Sequence, residues 1–201
     1  MNYLAHQFLS GSNKSIRIGN FLGDFMKGKE LEDFPPSVQL GISLHRIIDE
    51  FTDTHPIVER SKKLLHPRQG KYASVLLDVY YDYFLAKNWH LYAAISLEQF
   101  ALSVYDDFWE LKAYFPKKVI DFLPAMREND WLTNYRSYWG INKALESIGR
   151  RAKFSNTIQH ALIDLQELES ELEQDFLLFF PELQERCENY LKQNGLMNEF
   201  N

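Results

Sequence analysis

The sequence is poor in cysteine. Its 201 residues include one, Cys187. A single thiol excludes an intramolecular disulfide framework and a cysteine-based zinc cluster, and it is typical of proteins from a reducing compartment.

Glycine and proline are also scarce, with nine and seven residues. An all-β chain of this length would need a turn about every ten residues, which these residues do not supply. Apolar side chains instead recur at steps of three to five residues, as at Val38, Ile42 and Ile47. This is the period of an amphipathic helix. The sequence therefore predicts an all-α fold, a single-domain multi-helix bundle spanning residues 1–201.

Long hydrophobic runs are absent from the sequence. The longest strongly apolar run covers residues 176–180, which is far too short to cross a bilayer. The first residues lack the positively charged and apolar segments of a secretory signal. We therefore expect a cytoplasmic protein with no membrane partner.

Positive charge is in deficit, because 22 Lys and Arg residues stand against 28 Asp and Glu residues and give a net charge of −6. This balance argues against a general electrostatic affinity for nucleic acid, so no nucleic-acid partner is expected. Any cationic contact must come from a local patch. The chain also lacks the G-x-S-x-G elbow, the Walker phosphate loop and the dinucleotide fingerprint.

Helical periodicity and the positions of the prolines predict nine helices. They cover residues 2–10, 15–28, 36–53, 56–66, 70–88, 96–114, 117–127, 141–152 and 155–194. We expect the last helix to break near Pro181 and a boundary or kink at Pro67, because proline lacks the N–H that a helix interior requires.

Histidines and aspartates occur inside apolar helical stretches of the first ninety residues. His45 and Asp49 are four residues apart, so they project from one face of a helix. The same four-residue spacing joins Asp78 to Asp82, and His6 and Asp24 also lie in apolar stretches. The full set is His6, Asp24, His45, Asp49, Asp78 and Asp82.

This set has two interpretations from the residues alone. Imidazoles and carboxylates without thiolate suit a hard divalent ion such as Mn²⁺, Mg²⁺ or Fe²⁺. The alternative is that each group is simply paired, for example Asp49 with Arg46 or Arg60. Six such groups in apolar settings need more partners than the neighbouring bases provide, so both interpretations stay open.

The motifs at these positions resemble those of the acyl carrier protein phosphodiesterase family. The most specific are GNFLGDF at residues 19–25, GISLHRIID at residues 41–49 and LDVYYDYFL at residues 77–85. Residues 1–6, 34–36, 52–53 and 56 also match, and weaker similarity continues from residue 131 to residue 151.

The resemblance implies an unusual relative of the HD phosphohydrolases that depends on Mn²⁺, with Mg²⁺ or Fe²⁺ as alternatives. Its substrate would be holo-acyl carrier protein, cleaved at the phosphodiester that joins the carrier serine to 4′-phosphopantetheine. A water made acidic by the ion would attack phosphorus. The expected metal ligands are His6, Asp24, His45 and Asp78, and the expected catalytic residues are Asp49, Asp82 and Arg46. Ordinary HD proteins have adjacent His and Asp residues, whereas this chain has His45 followed by Arg46.

Acyl carrier proteins are strongly acidic, so the resemblance implies a basic docking surface. The expected partner-binding residues are Arg60, Lys62, Lys63, Arg68 and Lys71, opposed in sequence only by Glu59. A shorter set is Arg150, Arg151 and Lys153. For both sets an ordinary solvated face is the alternative.

Two other functions compete with the leading one. One is an HD-like hydrolase of a nucleotide or another small phosphoester. The other is a non-catalytic helical binding module. Oligomeric state is left open by the sequence.

Overall fold

The computed structural model describes residues 1–26, 31–152 and 157–196, and within these ranges it contains helices and no strand. The α-helices are α1 (Tyr3–Phe8), α2 (Lys14–Leu22), α3 (Pro36–Thr54), α4 (Pro56–Gln69), α5 (Ala73–Lys87), α6 (Leu97–Glu110), α7 (Lys117–Glu128), α8 (Trp131–Asn134), α9 (Tyr138–Arg151) and α10 (Ala161–Gln193). Short 3₁₀ turns occur at Gly23–Phe25, Leu31–Asp33, Gly70–Tyr72, Trp89–Leu91, Lys112–Tyr114 and Ile158–His160. The prediction of an all-α fold is confirmed.

Helix starts follow from local capping chemistry. The Asn13 side chain accepts hydrogen bonds from the first amides of α2, and Ser96 with Gln99 forms a capping box at the start of α6. Pro36 and Pro56 occupy the first turns of α3 and α4, where the missing N–H is not needed. These side chains satisfy or avoid the amides that have no partner inside the helix.

One expectation about proline is wrong, because helix α10 continues through Pro181 without a break. Pro67 lies in the last turn of α4, two residues before the helix ends at Gln69. A proline in a helix interior costs about 3 kcal/mol, but Phe179 and Phe180 beside Pro181 are fully buried. Burial of such side chains contributes about 1.5–3 kcal/mol each, so tertiary packing outweighs the local preference.

The predicted helix over residues 15–28 is also too long. Helix α2 ends at Leu22 and the chain tightens into the 3₁₀ turn Gly23–Phe25, while residues 27 and 28 lie outside the described residues. This turn places Asp24 beside α3 instead of on the extension of α2.

Helix α5 is the centre of the hydrophobic core. It packs against α1, α4, α9 and α10, and every residue from Val79 to Ala86 is buried, which covers more than two full turns. A helix that is apolar on all sides is expected only where other helices surround it. Among the described residues no helix has the length and hydropathy needed to cross a bilayer.

Helices α2 and α3 make a backbone-to-backbone contact at two glycines. A Cβ atom on Gly19 would lie 2.0 Å from the carbonyl oxygen of Val38, and one on Gly41 would lie 2.3 Å from the carbonyl oxygen of Ile16. Neither position can hold a larger residue unless the two helices separate. The glycine pair therefore sets the distance between α2 and α3, which carry most of the candidate site.

We predict that Gly41→Ala lowers the free energy of unfolding by about 1–3 kcal/mol, because the methyl group overlaps a backbone oxygen that cannot move independently. Urea denaturation measures the change. The exposed substitution Leu178→Ala is the control and should stay within about 0.5 kcal/mol of the parent protein. A gain of about 1 kcal/mol in Gly41→Ala, as helix propensity alone would give, would contradict this account.

Candidate metal centre

Two buried imidazoles form the centre of the candidate site. His6 comes from α1 and His45 from α3, and their exposed fractions are 5% and 6%. Their rings stack with centroids 4.3 Å apart and an interplanar angle of 27°. Two protonated rings could not stay this close in a buried setting, because their charges would repel each other at low dielectric.

The side-chain amide of Asn20 fixes the orientation of both rings. Its Nδ2 donates to the His6 carbonyl oxygen at 2.9 Å and to Ser10 Oγ at 2.8 Å. A carbonyl oxygen only accepts, so Oδ1 must face the imidazoles, 2.7 Å from His6 Nδ1 and 3.2 Å from His45 Nδ1. Both Nδ1 atoms therefore carry the proton that is donated to Asn20. In the neutral form of each ring, the lone pair is then on Nε2.

The two Nε2 atoms converge on one carboxylate. Asp49 Oδ1 lies 3.3 Å from His6 Nε2, and Asp49 Oδ2 lies 3.1 Å from His45 Nε2. Ligand atoms of these three residues all lie within 4.8 Å of one another. Nitrogen and oxygen ligands bind divalent ions at about 2.0–2.5 Å, so the three groups fit around a single ion.

Asp24 lies at the edge of the same group. Its Oδ1 is 3.8 Å from His45 Nε2, and its side chain is half-exposed, like that of Asp49. The imidazoles are thus buried while the carboxylates face outward. The site is open to solvent on its acidic side.

Electrostatics at the cluster favour a cation between the rings and the carboxylate. Burial lowers the pKa of His6, and the neighbouring His45 and the Met1 ammonium lower it further, against a hydrogen bond to Asp49 that raises it. Burial would raise the pKa of Asp49, but the hydrogen bonds that His45 and His6 would donate if protonated at Nε2 outweigh this and lower it well below its usual range. An ionised Asp49 facing two Nε2 lone pairs is repulsive unless a proton or a metal ion lies between them. Because His6 resists protonation, the donor set fits a divalent ion.

The aspartates of α5 hold α1 in place. Asp82 is fully buried and accepts hydrogen bonds from the backbone N–H groups of Leu4 at 2.7 Å, Ala5 at 3.2 Å and Asn2 at 3.3 Å. Burial raises the pKa of Asp82 to about 7, against the Met1 ammonium and these three donors. Asp78 Oδ1 accepts from the Met1 ammonium at 2.8 Å. Both contacts fix the start of the helix that carries His6.

The structure therefore divides the residues singled out by the sequence. It brings together His6, His45 and Asp49, with Asp24 at the edge. Asp78 and Asp82 lie under the first turn of α1, and Arg46 is exposed on α3, one residue past His45. The ligand and catalytic roles assigned to these seven residues stay predictions.

Two contributors were not predicted. Asn20 orients both imidazoles, and Gly23 packs against His45 so closely that a Cβ atom there would lie 2.2 Å from His45 Cγ. Both fall in the segment GNFLGDF at residues 19–25. A polar amide between Gly19 and Phe21 in an apolar helix was the available signal, since a buried amide needs partners.

The basic segment of α4 has partners that the sequence did not indicate. Arg60 pairs with Asp175, Arg68 pairs with Asp164 and Glu167 of α10, and Lys62 pairs with Asp53 of α3. The described part of the chain gives no acidic partner for exposed Lys63, and Lys71 lies in the 3₁₀ turn after α4. Charge counted along the sequence omits carboxylates supplied by another helix, so this surface is far less positive than expected. Its role in partner binding stays a prediction.

The chain is similar to known proteins named acyl carrier protein phosphodiesterase. A family model described as acyl carrier protein phosphodiesterase matches residues 1–183. The acyl carrier protein phosphodiesterase of Escherichia coli O6:H1 (strain CFT073) is 30% identical over 188 residues, which are 93% of this chain and 97% of the relative. The protein of the same name from Escherichia coli O157:H7 (strain EC4115) is 30% identical over 184 residues, 91% of this chain and 95% of the relative. No solved structure matches the chain.

We predict that Gly23→Ala displaces the His45 ring and breaks its hydrogen bond to Asn20, because the added methyl group overlaps the ring. In the metal-free protein, ¹⁵N–¹H spectra of the imidazoles should show the Nδ1 proton on both rings. The variant should lose this signature at His45, and its unfolding free energy should fall by about 1–3 kcal/mol.

The control for this experiment is Arg46→Ala, which changes an exposed side chain directly beside His45. It should leave the ring signals unchanged. Unchanged His45 signals in Gly23→Ala would show that the glycine does not position the ring.

Proposed function

The chain belongs to the acyl carrier protein phosphodiesterase family, and from this membership we propose that it hydrolyses holo-acyl carrier protein. The bond cleaved is the phosphodiester between the carrier serine and 4′-phosphopantetheine. The products are apo-acyl carrier protein and free 4′-phosphopantetheine.

We propose that the reaction depends on a divalent metal ion, Mn²⁺ with Mg²⁺ or Fe²⁺ as alternatives. The observation that carries this proposal is the convergence of two oriented Nε2 atoms on the Asp49 carboxylate. The donors are nitrogen and oxygen with no thiolate, which suits these ions. When bound, such an ion acts as a Lewis acid toward a phosphoryl oxygen and lowers the pKa of water.

The chain's own residues have separate roles in this proposal. His6, His45 and Asp49 hold the ion, and Asn20 holds both imidazoles in the tautomer that exposes Nε2. Asp24 lies on the open side of the cluster, where a protein-borne phosphodiester must approach, and its half-exposed carboxylate can hold and orient a water. Arg46 remains the nearest guanidinium in sequence for the phosphate. Asp78 and Asp82 act through α1, as positioning residues for His6.

We predict that purified protein with Mn²⁺ converts holo carrier to apo carrier, seen by mass spectrometry as loss of the phosphopantetheine mass. His45→Ala should lower the rate at least about a hundredfold, because it removes a buried ligand and its Asp49 contact. His66→Ala changes an exposed histidine of α4 and should leave the rate unchanged. No mass loss with any of the three ions, in protein shown to be folded by circular dichroism, would refute the proposed activity.

Metal affinity tests the ligand set independently of activity. We predict that Asn20→Ala weakens Mn²⁺ binding by about 10–100-fold in calorimetry, because both imidazoles lose the hydrogen bond that orients them. The matched control is Ser10→Ala, which removes a different partner of the same amide and should have a much smaller effect.

The same titration separates Asp49 from Asp78. Asp49→Asn should abolish Mn²⁺ binding, whereas Asp78→Asn should retain it, because Asp78 Oδ1 is bound to the Met1 ammonium. Loss of binding in Asp78→Asn with retention in Asp49→Asn would reverse the two roles and support the ligand set expected from the resemblance.

A further inference from the structure

Three aromatic rings, two partly buried and one exposed, lie in contact in a row that we call the aromatic ledge. It consists of Phe25, Phe122 of α7 and Trp131 at the start of α8. The rings of Phe25 and Phe122 have centroids 6.2 Å apart, and those of Phe122 and Trp131 are stacked at 6.0 Å with an interplanar angle of 11°. Trp131 is 37% exposed. Single exposed apolar residues are ordinary, but touching aromatic rings next to a polar site mark a binding surface.

The innermost residue of the ledge, Phe25, is joined by the chain to the edge of the candidate metal centre. Phe25 follows Asp24, whose carboxylate lies 3.8 Å from His45 Nε2. Buried Phe21 supports the ledge from below, with its centroid 5.6 Å from that of Phe25 and 6.4 Å from that of Phe122. A ligand held at the cluster by a phosphate could therefore place the atoms next to that phosphate on the ledge, which is rigid underneath.

Positive charge lines the same region. Lys118 Nζ lies 5.9 Å from the ring centroid of Phe25. Burial and Asp24 raise the pKa of the Tyr3 hydroxyl and Arg151 lowers it, and the Tyr3 ring centroid lies 5.5 Å from that of Phe21, the ring that supports the ledge. Within the described residues neither Lys118 nor Arg151 has a carboxylate partner, unlike Arg60 and Arg68 in the α4 segment. An acidic macromolecule carrying the substrate would meet uncompensated charge here.

We propose that the aromatic ledge binds the pantetheine arm of the substrate while the phosphodiester lies at the His6, His45 and Asp49 cluster. This inference rests on the proposed function. The arm combines methylenes and a gem-dimethyl group with two amides, so its apolar parts pack on ring faces while its amides stay hydrated at the exposed edge. The phosphate is at one end of the arm, which matches a ledge that starts next to Asp24. Trp131 is then a specificity-determining residue that contacts the arm.

The test compares two substrates and two tryptophans. Trp131→Ala removes the outer ring of the ledge, and Trp139→Ala removes another exposed tryptophan, at the end of α9 opposite Arg151. The substrates are holo carrier and a short peptide bearing a serine ethyl phosphodiester, which lacks the arm and is followed by ³¹P NMR. Circular dichroism verifies folding of both variants.

Trp131→Ala should raise KM for holo carrier about five- to tenfold, with kcat nearly unchanged, because one ring face of contact is lost. It should leave the ethyl diester unaffected, and Trp139→Ala should change neither substrate. An unchanged KM in Trp131→Ala, an equal loss on the ethyl diester or an equal loss in Trp139→Ala would overturn the proposal.

A binding measurement separates this proposal from the proposed function. Saturation-transfer NMR with free pantetheine, which has no phosphate, should show transfer from the parent protein that disappears in Trp131→Ala. If holo carrier is not hydrolysed at all, the proposed activity fails. This measurement still shows whether the aromatic ledge binds the pantetheine arm. Absence of transfer to pantetheine in the parent protein would overturn it.

Discussion

The close contact between α2 and α3 is the constraint on which the candidate site depends. Gly19 and Gly41 let the two backbones touch, so Asn20, the next residue on α2, reaches His45 of α3 while it also binds His6 of α1. With larger side chains at the two glycines, the helices would separate and one amide oxygen could not reach both Nδ1 atoms. The tautomers, the direction of the Nε2 atoms and the convergence on Asp49 all follow from that spacing. Gly23, one turn later, also permits a close contact, because the absence of a side chain there leaves room for the His45 ring.

The site is also coupled to the stability of the fold through α1. This helix has six residues, too few to be stable alone in water. Asp82 replaces the partners that its first amides lack, and Asp78 binds the amino group of Met1. Two carboxylates near the core are costly, and they are tolerated because they anchor the helix that carries His6. The aspartates of α5 thus support the imidazole from behind, while Asp24 of the 3₁₀ turn after α2 and Asp49 of α3 lie on its open side.

The charges of this protein are arranged by helix packing. Arg60 and Arg68 of α4 face the acidic helix α10, and the resulting ion pairs hold the two helices together, since Asp164 and Asp175 are nearly fully buried. Lys118 lies over the ring of Phe25 instead, and Arg151 acts on the Tyr3 hydroxyl. A net negative protein can therefore present local positive charge to an acidic partner, but at a different surface from the densest basic stretch of its sequence.

The sequence by itself determined the all-α class, the family and the relation between His45 and Asp49. Helical periodicity fixes which residues of one helix share a face, and a four-residue step is sufficient to pair an imidazole with a carboxylate. Only the tertiary structure decided that Asn20 joins two histidines from different helices and that Asp78 and Asp82 turn to α1. It also decided that α10 pairs with Arg60 and Arg68 and that Pro181 stays inside a helix. These outcomes depend on which helix faces meet and how closely. The meeting of helix faces is set by side-chain volume and burial over the whole core. A local pattern of residues does not contain this information.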